Sequence, residues 1–87
     1  MEKSNYKINN IMAYNYNENW CFVSSSNVYA VAYDPAEETV YVRFLNNSVY
    51  AYKGVNEIIF EDLKTAASVG SYLNRNFKNV YPYERIE

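Results

Sequence analysis

The 87-residue sequence has no histidine, one cysteine, two glycines and two prolines. Without histidine it lacks the commonest general base and the commonest metal ligand. A single cysteine, Cys21, forbids an intramolecular disulfide and leaves no ligand set for a structural zinc ion. Lying between Trp20 and Phe22, Cys21 reads as a small buried hydrophobe. The glycines, Gly54 and Gly70, build neither a phosphate-cradling loop nor a Gly-x-Ser-x-Gly elbow. Carboxylates adjoin one another only at Glu37-Glu38 and Glu61-Asp62, where a solvated turn and a helix face are expected. Paired acid–base catalysis is therefore not expected, and the sequence reads as that of a non-enzyme without a cofactor or metal. No run approaches the length of a membrane span, and the opening Met-Glu-Lys-Ser-Asn has no apolar signal-type stretch. These features predict a cytoplasmic protein with no membrane partner.

Tyrosine and asparagine are abundant, with eleven and thirteen copies, and the net charge is −2. An acidic balance disfavours a protein that grips long nucleic acid by its phosphates. Tyrosine carries a large apolar area and one polar tip, which suits half-buried positions and contact surfaces.

Residues 1–22 are polar and rich in Asn and Tyr, with Ile8, Ile11 and Met12 as a weak apolar stripe, and read as an N-terminal arm. The domain proper is expected at 23–87. Ser24 to Asn27 reads as a loop, and its hydroxyls and amide suit an anion or a ribose. Alternation places Tyr29, Val31 and Tyr33 on one face of a first strand, Val28–Tyr33. Asp34-Pro35 turns the chain into a second strand, Thr39–Leu45, with Val40, Val42 and Phe44 on one face and Tyr41, Arg43 and Leu45 on the other. Asn46-Asn47 predicts a two-residue hairpin, because Asn tolerates positive φ. The third strand, Ser48–Lys53, carries Tyr50 and Tyr52 on one face and ends at Gly54.

The period then becomes helical. Asn56 caps a helix with Ile59, Phe60, Leu63 and Ala67 on its apolar face; Ser68 caps another with Val69, Tyr72, Leu73 and Phe77. Pro82 excludes a central strand for the end of the chain. The predicted architecture is α+β: a three-stranded antiparallel β-meander, two helices and an extended C-terminal tail.

From Val23 to Ile86 the sequence resembles the KTSC domain family. The match is carried by Ser24-Ser25-Ser26-Asn27-Val28, Tyr33-Asp34-Pro35, Val42-Arg43-Phe44, Val49-Tyr50-Ala51-Tyr52, Gly54-Val55, Ser68-Val69-Gly70, Asn74-Arg75 and Tyr81-Pro82-Tyr83-Glu84-Arg85-Ile86. The resemblance covers about three-quarters of the chain, and Tyr-x-Tyr followed by the terminal Tyr-Pro-Tyr-x-Arg makes it specific. Asn47 stands where the family often has glycine, and residues 1–22 lie outside the pattern. Domains of this kind stand alone in bacteria and phages or close some lysyl-tRNA synthetases. The resemblance implies no catalytic residue, and RNA binding has been suggested for the family.

The residues themselves point to a planar, anionic ligand. Tyr50, Tyr52 and Tyr83 offer stacking faces, and Arg43, Arg75 and Arg85 offer cations. Ser68 and Gly70 mark a helix start with free backbone N–H groups. Ser25, Ser26, Asn27 and Asn74 add hydroxyls and amides. Tyr50 and Tyr52 equally suit a core beneath the helices, since Lys53 on the opposite face prefers water. The reading favoured is a binding module for a small nucleotide-type ligand, such as one that sequesters a nucleotide immune signal in phage counter-defence. Single-stranded RNA or tRNA binding, and protein–protein contact or homo-oligomerisation through tyrosines, are the alternatives.

Overall fold

The computed structural model describes residues 14–87, so the apolar stripe expected at Ile8, Ile11 and Met12 lies outside the described residues. The β-branched and aromatic run with a period of two forms the strands, as such side chains pack well on a pleated surface. Strand β1 is Cys21–Phe22, β2 Val28–Asp34, β3 Thr39–Phe44, β4 Val49–Lys53 and β5 Tyr83–Arg85. Helices α1, Glu57–Lys64, and α2, Val69–Asn76, stand between β4 and β5. All neighbouring strands are antiparallel and lie in sequence order, β1-β2-β3-β4-β5.

The α+β class is as the sequence predicts, but among the described residues the sheet has five strands where three were expected. The tail is one addition: Tyr52 faces Tyr83 and Tyr50 faces Arg85. Pro82 lies just outside this edge strand and supplies only its carbonyl, which accepts from the Lys53 N–H at 2.9 Å. The other addition is β1, formed by the last two residues of the expected arm. Two residues are too few to show alternation, so pairing with Ala30 and Val31 decides the matter. The β3–β4 loop also has one residue more than predicted. Asn47 N–H donates to Phe44 O and Phe44 N–H to Ser48 O, both at 2.9 Å, which encloses Leu45, Asn46 and Asn47. Asn47 takes a φ of 71°, the left-handed conformation of the third position in such a loop.

Both helices lie on one face of the sheet. Asn56 Oδ1 accepts from the Ile59 N–H at 3.0 Å, and Ser68 Oγ from the Ser71 N–H at 3.3 Å, the two caps the sequence predicts. Ala67 lies past the end of α1, whose apolar side is made by Phe60 and Leu63. Those side chains, with Val69, Leu73 and Phe77, cover Val31, Val40, Val42 and Tyr52 of the sheet. Tyr33 stacks on Phe60 with centroids 5.0 Å apart and donates its hydroxyl to Val55 O at 2.7 Å, joining β2 to the start of α1.

The other face is covered by the segment that precedes β1. A 3-10 turn, Tyr16–Glu18, lays Tyr16 and Tyr14 on Tyr41, with ring centroids 4.7 and 5.8 Å away. Arg43 lies 5.4 Å from the Trp20 ring centroid and pairs with Glu87 at 3.2 Å. The Tyr16 hydroxyl donates to the same Glu87 carboxylate. That bond favours the neutral phenol and the charged carboxylate together. It therefore pushes Tyr16 up to about 12 and holds Glu87 below its ordinary value, the guanidinium of Arg43 adding to the latter. A depressed carboxylate stabilises the fold above its unfolded value of 4.5 and loses that contribution as pH falls through the lower folded value. Urea unfolding should thus show a loss of stability in acid below about pH 4.5 that Glu87→Gln reduces. A wild type and variant with parallel acid profiles would exclude this clasp as a contributor.

Candidate functional site

Alternation on β4 turns Tyr50 and Tyr52 toward the helices, because Tyr50 faces Val42 and Tyr52 faces Val40 across the β3–β4 pair. Tyr52 is core: it is 6% exposed and its ring meets Phe77 edge-on at 5.4 Å. Burial raises its pKa, and the Tyr83 and Tyr50 hydroxyls add to the shift. Tyr50 is half-buried, with Phe44 edge-on at 5.6 Å. Strand β5 sets Tyr83 against both, with centroids 5.7 Å from Tyr50 and 5.5 Å from Tyr52. Tyr83 remains 56% exposed and keeps ring surface free.

Beside these rings lies a cleft of about 390 Å³, within the size range of small-molecule sites. Phe44, Tyr50, Tyr52 and Tyr83 supply its aromatic surface. Gly70, Leu73, Asn74 and Lys78 line it from α2 and the turn that follows. Asn27, Asn46 and Ser48 reach it from two loops. Lys78 is the one charged side chain among these lining residues, and it makes no ion pair with the described residues. A second, smaller cavity of about 260 Å³ has the opposite character, with Glu57 and Glu61 beside Tyr14, Tyr33 and Phe60.

Of the side chains singled out in the sequence, Asn27, Tyr50, Tyr52, Gly70, Asn74 and Tyr83 therefore meet in one cleft. Ser25 stands behind it: its Oγ accepts from the Asn27 and Val28 N–H groups and donates to Asn27 Oδ1 at 3.1 Å. Ser26 is exposed in the same loop and outside the lining. Ser68 acts as the cap of α2, and the space beside Gly70 is taken by Asn27, whose Oδ1 would lie 2.6 Å from an added Cβ. That close approach explains a glycine in the first turn of a helix, where it otherwise weakens helicity. Arg75 is exposed on α2 and does not line the cleft. Arg85 shares the Tyr50 face through the β4–β5 register, but its Nε donates to Glu87 O at 2.8 Å and it stays outside the lining. Arg43 faces Val49, one residue out of phase with Tyr50, so it belongs to the other side of the sheet. There Glu87, Asn17 and the Asn47 carbonyl engage it.

Five residues of the cleft were not singled out for it: Phe44, Asn46, Ser48, Leu73 and Lys78. The pattern of β3 put Phe44 on an apolar face with Val40 and Val42, and Asn46 was visible only as a turn residue. Lys78 follows Phe77 immediately, and a cation one step past a buried helix end is the trace it left in the sequence. Its backbone N–H donates to Leu73 O at 3.1 Å, which holds it to the end of α2, and Asn79 with a φ of 65° turns the chain back after it.

Among the described residues no helix is long and apolar enough to cross a membrane, and no group of three or more metal-ligating side chains occurs. The α+β sheet-and-helix arrangement with its Tyr-x-Tyr strand is that of a known domain class. The chain belongs to the KTSC domain family, whose model matches residues 24–81, from the Ser-rich loop to Tyr81. The crystal structure of a KTSC domain protein from Yersinia pestis superposes with a TM-score of 0.76 at 26% identity, over 79% of this chain and 97% of that one. A protein of Tsukamurella paurometabola is 40% identical over 52 residues, 60% of this chain and 78% of its own length. An uncharacterized protein of Stutzerimonas stutzeri is 32% identical over 66 residues, 75% of this chain and 93% of its own length.

Proposed function

We propose that the domain is a non-enzymatic binding module for a small nucleotide-type ligand, with the β4–β5/α2 cleft as its site. One observation carries this reading: the tyrosines of two neighbouring strands meet three asparagines and one lysine around a single opening. Aromatic faces stack on a base, amides pair with its edge, and an ammonium meets a phosphate. Among the described residues the cleft lining contains no carboxylate to oppose an anion. A module that holds its ligand without altering it suits sequestration of a nucleotide signal.

Calorimetry against mononucleotides, cyclic dinucleotides and ADP-ribose derivatives tests the reading. At least one should bind, and Tyr83→Ala should weaken that binding by about 1–3 kcal/mol, the contribution of one stacked base. Tyr83 is largely exposed, so the melting temperature of the free protein should change little. Heat signals at the baseline for every nucleotide, with protein well above micromolar, would refute the proposal. Retention of single-stranded RNA that weakens steeply with salt would favour the polynucleotide alternative.

A further inference from the structure

Three of the four asparagine and serine side chains in the cleft, Asn27, Asn46 and Ser48, already have fixed hydrogen-bond partners within the chain. Asn46 Oδ1 accepts from the Ser48 backbone N–H at 3.0 Å and from Ser48 Oγ at 2.6 Å. A backbone N–H only donates, so the oxygen of this amide must face Ser48 and the NH₂ group must point elsewhere. Asn27 is fixed by a parallel argument. Ser25 Oγ accepts from two backbone N–H groups, at 3.3 and 3.1 Å, and spends its own proton on Asn27 Oδ1. The missing side chain of Gly70 leaves room for that oxygen, which would lie 2.6 Å from an added Cβ. Both amides thus keep their oxygens for the protein, and neither NH₂ group has a partner among the described residues. Lys78 adds three N–H donors and no acceptor.

We infer that the cleft selects an acceptor-rich ligand, a nucleotide with one phosphate group and a carbonyl-bearing base of the guanine or uracil type. This rests on the nucleotide reading of the same cleft. Guanine shows O6 and N7 acceptors on one edge, whereas adenine puts an N6 donor there, which would meet the NH₂ groups head-on. One lysine offsets part of the charge of a single phosphate; a triphosphate would bring further charge with no second cation among the described lining residues. Asn74 has no such restraint and can turn either end toward the ligand.

Calorimetry with guanosine, uridine and adenosine monophosphates and guanosine triphosphate tests the inference on the intact chain. Guanosine monophosphate should bind about tenfold or more tighter than adenosine monophosphate, the scale of a mispaired base edge. Asn46→Asp keeps the acceptor for Ser48 and replaces only the outward donor by a carboxylate oxygen. It should cut guanosine monophosphate affinity about tenfold or more, with an unchanged circular-dichroism spectrum. Ser25→Ala releases the Asn27 amide to rotate, so the guanosine-to-adenosine ratio should fall toward one even if Asn46→Asp folds poorly. Adenosine monophosphate binding as tightly as guanosine monophosphate, a preference for the triphosphate, or an unaltered ratio in both variants would overturn the inference and leave nucleotide binding standing. No binding by any nucleotide would remove both.

Discussion

Phe77→Ala should unfold the domain at markedly lower urea concentration, with a loss of about 3–5 kcal/mol. Phe77 is fully buried and caps the C-terminal end of α2. Its ring meets Tyr52 edge-on at 5.4 Å, Tyr81 at 5.2 Å and Tyr72 at 6.3 Å. It therefore joins three things: the central part of β4, the second helix and the chain that returns to form β5. Truncation leaves a cavity bounded by rings attached to separate elements, which cannot all close on it. A small domain has about 5–15 kcal/mol of total stability, so this one change would take a large share. Chemical denaturation followed by tyrosine and tryptophan fluorescence measures it. A loss below about 1 kcal/mol would mean that the three elements are held together by other contacts.

Lys78→Glu should do the reverse, removing binding while leaving the fold. Lys78 is exposed and has no ion pair among the described residues, so stability should move by less than about 0.5 kcal/mol. For a phosphate ligand the change replaces a charged hydrogen bond, worth about 1.5–3 kcal/mol, by a like charge. Affinity should drop about tenfold or more, and wild-type affinity should decline as salt screens the lysine. Unchanged nucleotide affinity in Lys78→Glu would place the phosphate elsewhere, with Arg85, on the same sheet face, as the next cation to replace.

The central meander and both helices are legible in the sequence because period-two runs, caps and turn residues agree there. Tyr33 and Val31, Val40 and Val42, and Tyr50 and Tyr52 each mark a strand face, while Asn56 and Ser68 mark where the period changes. What escapes is whatever depends on register between strands. Arg43 and Tyr50 look equivalent as pattern elements, yet a phase difference of one residue sends them to opposite sides of the sheet. Leu45 reads as the last residue of a strand, but the hydrogen bonds of Phe44 make it the first of a three-residue loop. The cleft was half legible for a related reason. Tyr50, Tyr52, Gly70, Asn74 and Tyr83 lie in strong local patterns, whereas Asn46 and Lys78 depend on where a loop and a post-helical turn point.

Strand β5 has three residues, all exposed, and lies at the edge of the sheet. Its pairing with β4 is what carries Tyr83 to Tyr50 and Tyr52. The aromatic surface is thus complete only in molecules whose last strand is seated, so on the proposed reading affinity would be scaled by the seated fraction. A ligand stacked on Tyr83 pulls that equilibrium toward the seated form, and its binding would register as slower amide exchange at Lys53 and Ile86, whose N–H groups bridge the two strands.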